Sequence, residues 1–284
     1  MPGLYSGECQ LWKLDQDLVS LTRVSSPFFM RDERAPIVFI HGVEYQGPEE
    51  AMRDLVTPML KCLGPGRVAD RGIYVFAWNS LLTNRVKISA MVKGSLWERF
   101  SLAARELPKC NEYLNDTERR AKDAAKVLLP FAAEWNAENR VGPTVISHSM
   151  GSLVWAETLR LLLEGSSIIT KPGVWWSLQP AMLRNSFGDG GDYQAVAKIY
   201  TGRESSKALI WYSRMDYILS SIYVLSKPGL ALGQWGCPKG SMPQRDITRW
   251  AREAHGMQHI AGHLGHFFNR VAAILPSEAD SLGI

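Results

Sequence analysis

Five short stretches of the chain are apolar on consecutive positions rather than on alternate ones. They lie at 36–41, 72–79, 144–147, 174–179 and 208–213. Unbroken apolar runs of this length suit strands covered on both faces, as in a parallel sheet. Between them the pattern changes to helical spacing. Residues 49–63 carry apolar positions three and four apart and stop at Gly64-Pro65-Gly66. Residues 116–139 place Ala121, Ala125, Leu128, Leu129 and Ala132 on one side and charges on the other. A third helix is predicted from Gly151 to Glu164, closing at Gly165. Strand and helix in alternation at this spacing predict right-handed crossovers and an α/β fold with one doubly wound, mostly parallel sheet. Two weaker strand patterns, at 8–14 and 18–24, are expected to form an antiparallel edge.

The stretch 81–107 fits this scheme least well. Val86, Ile88, Met91, Val92, Leu96, Trp97 and Phe100 alternate there with basic residues. It reads as an ordinary crossover helix, as a cap or lid over a site, or as a contact with a membrane surface. The expectation is a single domain over residues 1–284.

Composition narrows the classes without choosing among them. The chain has 284 residues, 46% hydrophobic and 21% charged, an ordinary globular mix with room for a large core. Its net charge of +4 is scattered, with no basic run, so a nucleic-acid partner is not expected. Cys9, Cys62, Cys110 and Cys237 are far apart and form no CxxC pair, which argues for free thiols. No signal-peptide pattern opens the chain and no apolar run is long enough to span a bilayer, so a cytoplasmic location is expected.

The chemistry concentrates at Ser147-His148-Ser149-Met150-Gly151. A buried strand ends there, a tight turn follows and an apolar helix begins. The spacing is that of G-x-S-x-G with Ser147 in the first glycine position. A nucleophile carried on such a turn needs small neighbours, because strand and helix approach closely, and the helix N-terminus favours an oxyanion beside it. Ser149 is therefore the candidate nucleophile. His148 points away from Ser149 across the turn and is expected to pack or to support the site at one remove.

This segment resembles the nucleophile elbow of α/β-hydrolases, and Ile37-Val-Phe-Ile-His41-Gly42 resembles their strand leading to the oxyanion loop. The resemblance runs over residues 36–275 and is strongest to esterase- and lipase-like members. It implies a sheet of the α/β-hydrolase type and an oxyanion hole formed by the N–H groups of Met150 and Val43. His41 would orient the loop. The family's order of Ser, acid, His then points to Asp216, just past the fifth apolar run, with Asp189, Asp192 and Asp246 as competitors. A turn carboxylate paired with Arg214 is the plainer account of Asp216.

Four histidines follow: His255, His259, His263 and His266. The first three share a four-residue spacing that would suit a metal on a helix, but Gly256, Gly262 and Gly265 argue against a continuous helix there. By resemblance the base lies on a late loop before a final helix, which fits His266, with His263 the rival and His259 weaker. The remaining histidines read as surface or packing residues.

The expected activity is hydrolysis of a carboxylic ester, small-molecule or lipid, through an acyl-enzyme with Ser149, Asp216 and His266 and no cofactor or metal. The alternatives are a catalytically silent binding protein of the same fold and a lipase effector acting at membranes.

Overall fold

The computed structural model describes residues 9–15, 20–27, 36–43, 45, 47–63, 71–80, 96–135, 142–165, 173–201, 208–223, 226–227, 229–251 and 255. The side chains of 62–63, 96–110 and 221–222 are outside that description. Among the described residues eight strands are formed: β1 (Gln10–Leu14), β2 (Leu21–Val24), β3 (Ile37–Ile40), β4 (Ile73–Ala77), β5 (Thr144–His148), β6 (Val174–Leu178), β7 (Ala208–Tyr212) and β8 (Gln244–Asp246). They join in one sheet in the order β2-β1-β4-β3-β5-β6-β7-β8. β1 runs antiparallel to both β2 and β4, and every other pairing is parallel.

The five apolar runs are the five strands β3 to β7, and the two weaker patterns form the antiparallel edge. The short polar strand β8, Gln-Arg-Asp, closes the opposite edge. Consecutive apolar residues are required because helices cover both faces. Val38, Ile40, Tyr74, Phe76 and Val145 face one apolar cluster, and Ile37, Phe39, Ile73, Val75 and Ile146 face a second. A strand alternates its side chains between faces, so both sets must be apolar.

The helices are α1 (Pro48–Ala51), α2 (Thr57–Leu63), α3 (Leu96–Trp135), α4 (Gly151–Glu164), α5 (Gln194–Thr201), α6 (Leu232–Trp235) and α7 (Thr248–Ala251). A π-helical turn, Met52–Val56, makes α1 and α2 one continuous helical stretch. α4 is buried almost all round from Gly151 to Leu159. It packs against both the sheet and α3, whose Ala121, Ala124, Ala125 and Ala132 let the two helices approach closely. α1, α2 and α7 cover the other face.

Residues 96–107, the second part of the stretch that resisted assignment, are the first turns of α3. This helix runs on through Pro108 and Pro130 to Trp135, joining the residues read as a crossover helix, a cap or a membrane contact to the helix predicted from 116. Residues 81–95 lie outside the described residues. No helix of the described residues is long and apolar enough to cross a membrane.

One feature of the strand order fixes where a site can form. From β3 the chain crosses to β4 on one side, while β5 to β8 extend on the other. The order reverses between β3 and β5, and the crevice outside the carboxyl ends of strands at such a switch is where ligands bind in open α/β sheets.

Candidate active site

The loops after β3 and β5 meet at this switch point. β5 ends at His148, and the next residue, Ser149, turns the chain sharply into α4 with a φ of 52°. Only one other non-glycine residue among those described has positive φ: Gln179, at 44°, directly after β6. Left-handed backbone costs a non-glycine residue of the order of 1–3 kcal/mol, and such strain gathers at functional sites. Both examples are here.

The turn is possible because Gly151 has no side chain. A Cβ on Gly151 would stand 2.4 Å from the His41 carbonyl oxygen and 2.5 Å from that of Ile40. Ser147, in the first small position, has a purpose of its own. Its hydroxyl accepts the indole N–H of Trp175 at 2.9 Å and lies 3.0 Å from Ser152 Oγ, which accepts from Ser177 Oγ at 2.9 Å. This buried network stitches β5, β6 and α4 together beneath the nucleophile.

Ser149 is 3% exposed, and its Oγ lies 2.9 Å from Nε2 of His255. The Nδ1 of the same ring lies 2.7 Å from Oδ2 of Asp216. A carboxylate only accepts, so His255 carries its proton on Nδ1 and presents a bare Nε2 to the serine hydroxyl. A hydroxyl, an imidazole and a buried carboxylate are thereby in line, with the base held in the tautomer that can take the serine proton.

Asp216 is fully buried, four residues beyond the end of β7. Its Oδ2 also accepts from Gln179 Nε2 at 2.7 Å, and its Oδ1 accepts the Leu219 N–H at 3.0 Å. The loop that carries it is tied down on both sides. Ser213 N–H donates to the Gly233 carbonyl, and Gly233 N–H donates to that of Pro180. Asp216 is not a partner of Arg214, which pairs with Asp246 at 3.2 Å. The competing acids are engaged elsewhere. Asp189 accepts from Gln194, and Asp246 accepts the N–H of Thr248 at the start of α7. Asp192 is exposed.

His266, to which the resemblance assigns the base, lies outside the described residues, as do His259 and His263. The imidazole standing between Ser149 and Asp216 belongs to His255, read from the sequence as a surface or packing residue. It is brought there by β8 and α7, which dock on the sheet through Ile247 and Ala251. Gln179 is the second residue missed by sequence reasoning. Its only signal is a polar side chain at the carboxyl end of an apolar run, directly before Pro180.

The loop after β3 is held with equal care. Trp78 donates its backbone N–H to His41 Nε2 at 3.2 Å and its indole N–H to the His41 carbonyl at 2.9 Å. Nδ1–H of His41 then donates to the Gly42 carbonyl at 2.8 Å. A trans peptide points its N–H opposite its C=O, so fixing the Gly42 carbonyl also fixes the direction of the Val43 N–H. Burial pushes the His41 pKa down to about 4, which keeps this ring neutral. His148 is buried too, and its Nε2–H donates to the backbone carbonyl of His255 at 2.7 Å.

Among the described residues no three His, Cys, Asp or Glu side chains gather as a metal would require. Comparison with protein-family models, with curated proteins and with solved structures finds no match to this chain.

Proposed function

We propose that the protein is a serine hydrolase of the α/β-hydrolase type, cleaving a carboxylic ester through an acyl-enzyme. The observation that carries this reading is the His255 ring, bonded to Ser149 Oγ at 2.9 Å and to buried Asp216 at 2.7 Å. His255 replaces His266 as the base. Ser149 Oγ attacks the carbonyl carbon while its proton passes to His255 Nε2. The tetrahedral oxyanion is received by the N–H groups of Met150, at the N-terminus of α4, and of Val43. His255 then returns the proton to the leaving alkoxide, and Asp216 stabilises the imidazolium in between. Water repeats the sequence on the acyl group and frees Ser149. The substrate is a small-molecule or lipid ester, and the chemistry calls for no cofactor.

Treatment with a fluorophosphonate is expected to label wild-type protein at Ser149, and esters of graded chain length are expected to be hydrolysed. Ser149→Ala should abolish both, and His255→Ala should lower both rates by about 10⁴-fold or more. His263→Ala and His266→Ala should leave both unchanged within about threefold, since His255 already fills the place of the base. Wild-type protein that neither labels nor turns over any ester would sink the proposal.

A further inference from the structure

The triad gives His255 two hydrogen bonds, one at each nitrogen. These hold the imidazole but do not themselves hold the main chain of His255. A third bond does. His148 is the residue immediately before the nucleophile, on the face of β5 shared with Ile146, the face on which α7 packs. Its Nε2–H donates to the backbone carbonyl of His255 at 2.7 Å, and the two rings lie 5.0 Å apart, inclined at 45°.

A carbonyl only accepts, so the proton of neutral His148 sits on Nε2 and Nδ1 is bare. Among the described residues that buried Nδ1 has no hydrogen-bond partner. It faces Gly42 so closely that a Cβ there would stand 3.1 Å from it. Burial, reinforced by the neighbouring imidazoles of His255 and His41, holds the His148 pKa down to about 3. The ring is a neutral donor with a single task.

We infer that His148 is a positioning residue, which clamps the main chain of the general base His255 to the turn that carries Ser149. The inference rests on the hydrolase reading for its catalytic consequence, while the clamp itself is a statement about two hydrogen bonds. Base and nucleophile are then referenced to the same two residues of backbone. The Ser149–His255 distance survives movement elsewhere. A misplacement of about 1 Å between reacting groups can cost about 10²-fold in rate.

The first test needs no variant. Protein carrying ¹⁵N-labelled histidine is examined by NMR at neutral pH. The expected result is His148 protonated at Nε2 only and His255 at Nδ1 only; a proton on His148 Nδ1 would overturn the clamp. The second test compares His148→Phe, His148→Gln and His148→Asn. Phe keeps a ring without a donor, Gln places an amide N–H near the Nε2 position, and Asn places one near Nδ1.

His148→Phe and His148→Asn should lower kcat by about 10²-fold with KM little changed. His148→Gln should recover to within about tenfold of wild type, the share of the loss due to position rather than contact. Equal impairment in Gln and Phe, with normal folding by circular dichroism, would assign His148 to packing and overturn the inference, as would a wild-type rate in Phe. If wild-type protein shows no hydrolase activity at all, that reading falls, and the histidine tautomers still decide the clamp.

Discussion

At the scale of the residue, the site is a set of donors and acceptors with little slack. Asp216 receives three N–H groups: His255 Nδ1 and Gln179 Nε2 at Oδ2, and the Leu219 backbone at Oδ1. An amide cannot replace it. Asp216→Asn must turn an NH₂ group toward one of those donors, and whichever oxygen is lost leaves N–H facing N–H. If His255 is the one displaced, it takes the other tautomer and loses its bare Nε2. The expected outcome is a fall in kcat of about 10⁴-fold together with a loss of about 1–3 kcal/mol of stability from a buried unsatisfied donor. Steady-state kinetics and urea unfolding measure the two separately.

At the scale of the element, Ser147 shows how a departure from a motif becomes part of the packing. The motif's usual glycine would fit the turn, but here the hydroxyl satisfies Trp175 on β6 and Ser152 on α4. Ser147→Gly is therefore expected to destabilise the protein by about 1–3 kcal/mol, through a buried indole N–H left unpaired. The rate of labelling per folded molecule should change little. Denaturant midpoints compared with fluorophosphonate titration check both halves.

The same scale explains what could be read in advance. β3 to β7 were legible because burial on both faces leaves few polar positions in each run. Ser149 could be singled out from the turn at the end of such a strand, and Asp216 from where the resemblance places an acid, just past another. β8 was not legible: three polar residues at a sheet edge carry no apolar signal. That one omission hid the route to His255, because β8 and α7 are the elements that return the chain to the site. The choice among four similar histidines was then made by resemblance, which ranks positions along the chain and contains no distances. α3 was read as parts of two segments, 81–107 and 116–139, although its helix runs unbroken through Pro108.

At the scale of the whole molecule, two buried neutral imidazoles make stability depend on pH. The pKa of His41 is lowered from 6.5 to about 4 and that of His148 to about 3, both chiefly by burial. The unfolded chain therefore binds more protons than the folded one below pH 6.5. By linkage, stability is fully present above that pH and is lost progressively as the pH falls through the folded values. The urea midpoint is expected to decline between about pH 6.5 and pH 4, and the decline should be shallower in His148→Gln. A midpoint constant across that window would contradict the neutral burial of these rings.

The position of His255 along the chain has a consequence for biogenesis. Every strand among the described residues, together with Ser149 and Asp216, precedes it. A domain folding from its N-terminus as it is synthesised would form the central sheet with Ser149 already in its turn, yet with nothing to withdraw its proton. On the proposed reading the serine stays chemically quiet until the segment carrying His255 leaves the ribosome and docks. A nascent fragment ending before His255 then has the shape of the candidate site without its reactivity.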